Sequence, residues 1–413
     1  AMGHFNAEKM VPNIQPVSNE LVDISWGLEE TASDQFNIAG GWGANTFVGS
    51  VGITLNNLSV KRLFKKGAWR PYPQGQNQRL NITAQTNGTY YKSASVSFTD
   101  PWLGGKKPNS FTVSFHWSEE NDALYVWDTP TQYFRAMGIS AGLGRRLNWP
   151  DPYFTLYTEL VYQRYKLKDW GYFIMKNGSA NDISIKLSFG RSTVDQPIYP
   201  RSGSEFSASV AVTPPYSLWD KKDYSDPNMS QQDRYRFIEY HRWQLRGRWY
   251  QPLTSNGNLV LMAAAEMGFL GHYDKNKISP FERFEVGGDG MSGYTMYGVD
   301  IIGLRGYDDG ELDPIGSNYS LAYNKYTVEL RYPVILQQQS QIYVLGFLEG
   351  GSGFNSWREF SPFRIKRSAG VGVRIYLPIV GLLGIDWGWG FDAPMGGTER
   401  SGSQFHFRMG QSF

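Results

Sequence analysis

The sequence predicts an all-β protein, a sixteen-stranded antiparallel transmembrane β-barrel. Three observations carry that expectation. Apolar and polar residues alternate with period two along most of the 413 residues, and helical periodicity is nearly absent. Aromatic residues reach 15% and glycines number 46, yet mean hydropathy is −0.43. Lipid-facing and lumen-facing residues that alternate cancel in such an average. No run of 18 apolar residues occurs, so any crossing of a bilayer has to be made by strands.

The alternation has a specific character. Phe111, Val113, Phe115 and Trp117 share one face of a segment whose other face carries Thr112, Ser114 and His116. Phe154, Leu156, Leu160 and Tyr162 oppose Thr155, Glu159 and Gln163. Ala369, Val371, Val373, Ile375 and Leu377 oppose Ser368, Gly370, Gly372 and Arg374, and Leu383, Ile385, Trp387, Trp389 and Phe391 oppose Gly384, Asp386, Gly388 and Gly390. A soluble sandwich would interdigitate large residues between two sheets. Here one face is large and apolar while the other is small or charged, which suits a polar lumen inside an apolar exterior.

Strands are expected to start near Phe36, Thr46, Asn77, Tyr90, Ser110, Tyr133, Tyr153, Asn181, Ser204, Arg234 and Asn258. A long segment, Gly271–Asn318, follows, and further strands start near Tyr319, Gln341, Arg367, Gly381 and Ser403. Eleven and five make an even total, as a closed outer-membrane barrel with both termini on the periplasmic side requires. Among the connections, "DPWLGGKKPN" and "LNWPDP" are short or Pro/Gly-rich. Leu63–Gln76 and Pro214–Asp233 are longer and fit outer loops. Residues 32–413 are assigned to the barrel, with 271–318 its long loop. Ala1–Gly3 reads as a cloning scar, and residues 4–31, with Val22, Ile24, Trp26 and Leu28 alternating, read as one strand of a small separate domain.

Two constellations stand out. The long loop contains "GLRGYDDG", an Arg between an aliphatic and an aromatic residue beside a Gly that permits a tight turn. On the following strands Glu329 is expected to face the lumen, and Phe347 and Glu349 share a face. A carboxylate in a confined lumen needs a partner, and an inward-folding loop that offers one guanidinium supplies charge-assisted hydrogen bonds. The chain then closes on "FHFRMGQSF", an amphipathic strand whose last residue, Phe413, is aromatic.

With these residues in view, the chain resembles the BamA family of outer-membrane protein assembly factors, specifically the C-terminal barrel with a remnant of the last POTRA domain. Leu304, Arg305, Gly306 and Tyr307 match that family's V/I-R-G-F motif on the sixth extracellular loop, with conservative departures at both ends. By the resemblance, Arg305 docks on Glu329, Phe347 and Glu349 of the lumenal wall. "FTDPWL" is similar to an early turn of the family, and Phe405, Phe407, Met409, Gly410 and Phe413 match its terminal strand, the β-signal. The segment Asn13–Glu30 is similar to the closing strand of the last POTRA domain.

The resemblance implies an insertase with no chemical step, which folds client β-barrels into the outer membrane of a Gram-negative bacterium through a lateral gate between first and last strands. The first strand, Phe36, Asn37, Ile38, Ala39, Gly40, Gly41, Trp42 and Gly43, is glycine-rich, and glycines weaken a strand. A weakly zipped edge exposes N–H and C=O groups that template an incoming strand. Implied partners are unfolded outer-membrane β-barrel clients, accessory assembly lipoproteins reached through further POTRA domains, and outer-membrane lipid and lipopolysaccharide. The same superfamily includes TamA and two-partner-secretion pores, so a translocation pore is the alternative.

Other classes fare poorly. Net charge is +2, which offers no field for nucleic acid. Without cysteine no disulfide or thiolate metal site exists. The five histidines, His4, His116, His241, His272 and His406, form no H-E-x-x-H, and no G-x-S-x-G occurs. No enzyme activity, cofactor or metal is expected. Asp308, Asp309, Glu311 and Asp313 lack EF-hand spacing and read as a solvated loop.

Overall fold

The structure, a computed structural model, describes residues 11–17, 21–28, 34–43, 46–105, 107–123, 125, 128–289, 297–337, 340–377 and 381–410. A two-stranded hairpin comes first, β1 (Val11–Pro16) and β2 (Val22–Gly27), with Ile14 opposite Ile24. The first half of the large sheet follows as β3 (Gln35–Gly43), β4 (Thr46–Leu58), β5 (Gln78–Asn87), β6 (Tyr91–Asp100), β7 (Asn109–Asn121) and β8 (Tyr133–Arg146). It continues through β9 (Phe154–Lys168), β10 (Gly178–Ser192) and β11 (Gly203–Val212). Two short helices, α1 (Tyr216–Trp219) and α2 (Gln231–Tyr235), precede β12 (His241–Pro252) and β13 (Val260–Gly271). The long loop carries a small parallel pair, β14 (Arg283–Val286) and β15 (Val299–Ile302). The last strands are β16 (Ala322–Gln337), β17 (Ser340–Phe354), β18 (Lys366–Leu377), β19 (Gly381–Gly390) and β20 (Gly402–Gly410).

Sixteen strands form one antiparallel sheet in chain order, with β13 directly beside β16 and with β3 and β20 at its two ends. The loop between β13 and β16 explains how this sheet is curled. Its Tyr297 ring stacks on His116 of β7 at 3.9 Å. Its Glu282 accepts from Tyr165 Oη of β9 and from Arg242 Nη1 of β12, both at 2.8 Å. Arg305 reaches β16, β17 and β19. One segment can touch strands across nearly the whole width of the sheet only if the sheet wraps around it, which makes the fold a transmembrane barrel with its long loop inside.

The faces follow the alternation. Phe115, Leu160, Val371, Ile385, Trp387, Phe405 and Phe407 are exposed on the outside, where lipid solvates them. The buried core lies instead in the lumen, where Phe134, Tyr165, Phe173, Phe281, Phe284, Leu304, Tyr307 and Tyr323 pack together. Aromatic rings of the wall and of the loop thus pack against one another inside the barrel.

Three expectations are corrected. The strand placed near Arg234 begins at His241, because Ser230 Oγ caps the Asp233 amide and starts α2 there. The strand placed near Tyr319 begins at Ala322, since Ser320 is still hydrogen-bonded to Phe284 of the loop. Leu63–Gln76 is not an outer loop: it joins β4 to β5 and so lies at the end that carries the termini, opposite the long loop. It is long for a periplasmic turn because it folds on itself, with Trp69 Nε1 donating to Leu63 O and Arg62 Nη1 to Gln74 O. Ala1–Gly3 and Phe413 lie outside the described residues. The hairpin β1–β2 pairs with nothing else among the described residues.

Candidate functional site in the barrel lumen

The site is built where the loop turns at Gly306. Its φ of +89 suits glycine, and a Cβ there would meet Ser368 Cβ at 2.8 Å and Gly390 N at 3.0 Å. The turn presses Arg305 onto the wall, leaving it 1% exposed. Arg305 Nη2 donates to Glu329 Oε1 and to Glu349 Oε1, each at 2.7 Å. Its backbone N–H donates to Glu349 Oε2 at 2.8 Å, and its guanidinium lies 3.7 Å over the Phe347 ring. Stacking on a ring while two nitrogens reach three carboxylates is a role for which arginine is suited and lysine is not. Burial penalises the Arg305 cation, but Glu349, Glu329 and Asp386 outweigh that penalty and raise its pKa, so it stays charged.

Neighbouring residues extend the set. Glu329 Oε2 accepts from Arg331 Nε at 2.8 Å. Asp386, on β19, takes a bidentate pair from Arg374 at 2.8 and 2.9 Å and a longer contact from Arg305 Nη1 at 3.4 Å. Lys325 lies 3.9 Å from Glu349, and Arg408 lies 3.9 Å from Asp386. The flanks of the motif are also held: Leu304 is buried, and Tyr307 Oη donates to Arg367 O at 2.8 Å. Gly306 N donates to His406 Nε2 at 2.8 Å, which ties the loop to the terminal strand.

Sequence reasoning brought together Arg305, Glu329, Phe347 and Glu349, and the structure places them in contact. It missed Asp386, Arg374, Arg408 and His406. Their signal was their position on the small inward face of strands already recognised as alternating. Gly388 and Gly390 have the same position and a steric role, since a Cβ on Gly388 would meet Gly306 N at 2.7 Å. At the other expected sites, Phe36 is exposed at the start of β3 and Asn37–Gly43 continue that strand. Phe405 and Phe407 are exposed on β20, where Met409 and Gly410 pair with Leu383 and Leu382. Among the described residues no ladder joins β3 to β20.

The loop carboxylates depart from the solvated reading. Asp308 and Asp309 are exposed, but Asp313 is buried and accepts from Val286 N and Ser320 Oγ. Among the described residues no group of three acidic or histidine side chains could hold a metal. Burial pushes Asp313 up to about 8 and Glu285 up to about 7, the latter with help from Asp309. These carboxyls bind protons more tightly folded than unfolded, so their ionisation costs the docked loop stability as pH rises from about 4 towards 8. Limited proteolysis of the loop in bilayer-embedded protein is expected to slow when pH is lowered from about 8 to about 5. A rate that rises over that window contradicts the assignment.

Residues 74–413 match the Omp85 superfamily domain. The chain belongs to the Omp85 superfamily. Among solved structures, this Omp85 barrel is similar to BamA from Haemophilus ducreyi lacking POTRA domains 1–3, at 16% identity and a TM-score of 0.63, covering 98% of this chain and 75% of that one. It is also similar to CdiB from Acinetobacter baumannii, at 13% identity and TM-score 0.55 (98% and 65% covered), and to CdiB from Escherichia coli, at 11% and 0.59 (98% and 68% covered). At such identities these likenesses concern the fold. Omp85 membership supports an outer-membrane location and a translocase- or insertase-type function.

Proposed function

We propose that this Omp85 barrel is the central insertase of a β-barrel assembly machinery, folding and inserting outer-membrane β-barrels through a lateral gate between β3 and β20. The observation that carries the reading is the pair of sheet ends: no ladder joins them among the described residues, and β3 holds Gly40, Gly41 and Gly43. Unpaired backbone groups in lipid are costly. A client strand that adds to such an edge satisfies them, and its own side chains face lipid and lumen with the same alternation. The docked loop keeps the remaining wall rigid while that seam exchanges partners. On this reading clients and lipid are the direct partners, and accessory lipoproteins act through POTRA domains preceding the barrel.

A translocation pore is the second reading, since Omp85 membership fits a translocase as well as an insertase. Depletion of the full-length protein in its native cell, followed by an inventory of the outer membrane, separates the two. Broad loss of unrelated β-barrels is expected for the insertase. Loss of one secreted protein with other barrels intact sinks it in favour of the pore.

A further inference from the structure

From Gln35 to Thr99 the chain contains no Asp or Glu but seven Lys or Arg. Five of these are exposed on one turn, the β4–β5 connection: Arg62, which donates to Gln74 O, and four others, Lys61, Lys65, Lys66 and Arg70. The turn is built rather than loose. Ser59 Oγ and Val60 N donate to Gln76 and Gln78 at 2.8 Å, and Tyr72 Oη donates to Asp34, which precedes β3. This scaffold holds two aromatic residues away from the chain, Phe64 at 98% exposure and Trp69 at 62%.

The topology fixes the end of the barrel at which these residues lie. The turn is at the end of the barrel bearing the termini, and the next two connections at that end also display exposed rings, Trp102 in one and Trp149 and Tyr153 in the other. A row of aromatics at one rim of a transmembrane barrel marks the membrane–water interface. Phe64 and Trp69 lie at this rim, with four cations beside them and no carboxylate on the same turn.

We propose that the β4–β5 turn binds anionic phospholipid headgroups of the inner leaflet, with Lys61, Lys65, Lys66 and Arg70 holding the phosphates and Phe64 and Trp69 inserting at the acyl boundary. Charge complementarity selects the occupant: basic side chains near a bilayer are drawn to anionic lipid, and exposed aromatics favour the interface over water. The bond from Tyr72 to Asp34 places this lipid at the foot of β3, the strand at one end of the sheet. The proposal needs only a membrane-spanning barrel and stands apart from the insertase reading.

The absence of cysteine makes a clean test available. The full chain carrying Ala68→Cys, labelled with an environment-sensitive fluorophore, is reconstituted in phosphatidylcholine vesicles containing brominated phosphatidylglycerol or, separately, brominated phosphatidylcholine. Half-maximal quenching is expected at about fivefold less brominated phosphatidylglycerol, the factor one basic side chain near an anionic surface supplies. High salt, applied to the same protein, is expected to remove that preference, as is replacing all four basic residues with Gln. A label on Glu359→Cys, at the opposite rim, is expected to show none. Equal quenching by both lipids overturns the proposal. Absence of quenching by either also overturns it and leaves an acidic protein as the partner of this turn.

Discussion

Replacing Arg305 with Ala is expected to destabilise the docked loop by about 3–5 kcal/mol, the usual cost of stranding buried charge by removing one partner. Glu349 would lose both a side-chain donor and, as the loop shifts, the Arg305 N–H. Glu329 would keep Arg331, so its loss is smaller. Urea unfolding of the bilayer-embedded barrel and proteolysis of the loop both read the change. Arg305→Lys is expected to recover only part, because an ammonium has no planar face to lay on Phe347 and no second nitrogen to reach Asp386. Glu349→Ala should resemble Arg305→Ala, and Arg305→Glu combined with Glu349→Arg should restore some docking. A variant protein with unchanged urea midpoint and loop cleavage would show that the pairs are dispensable for holding the loop.

The reach of the sequence has a physical basis that this constellation illustrates. A period-two pattern reports which face a residue occupies, so Glu329 could be put on the lumenal wall and Phe347 and Glu349 on a common face from neighbouring residues, while the family resemblance supplied the wall position of the latter two. The same rule put Asp386 and His406 inward, but it cannot say which inward residues lie at the height of the loop. Height depends on strand stagger, and stagger is set by hydrogen-bond register around the barrel. Asp386 lies opposite His406 in the register of β19 and β20, and that pairing sets Asp386 at Arg305 and His406 at Gly306. The side of a connection is likewise a matter of topology rather than length, which is why Leu63–Gln76, long and basic, misled. Asp313 misled for a further reason: its acidic neighbours suggested solvent, while the loop folds back to bring Val286 N and Ser320 Oγ onto it.

Strand-internal glycines, usually a weakness, here make a seat. Gly388 faces the motif so closely that an added Cβ would lie 2.7 Å from Gly306 N, 3.0 Å from its Cα and 3.2 Å from Arg305 C. All three are backbone atoms, so no side-chain rotation relieves the clash. Gly390 meets Gly306 O, and Gly370 meets the Phe347 ring on which Arg305 rests. Gly388→Ala should therefore force the motif off β19, and because the Arg305 bonds to Glu329 and Glu349 are 2.7 Å long, a small lift breaks them. Overpacking alone costs about 1–3 kcal/mol; with the ion set disrupted, the expected loss approaches that of Arg305→Ala, about 3–5 kcal/mol. The two substitutions should then be strongly non-additive, since each removes the same docking. Urea midpoints of both single variants and of the double variant measure this directly. If Gly388→Ala leaves stability unchanged, or if the two losses simply add, the glycine seat and the arginine lock are independent features of the barrel.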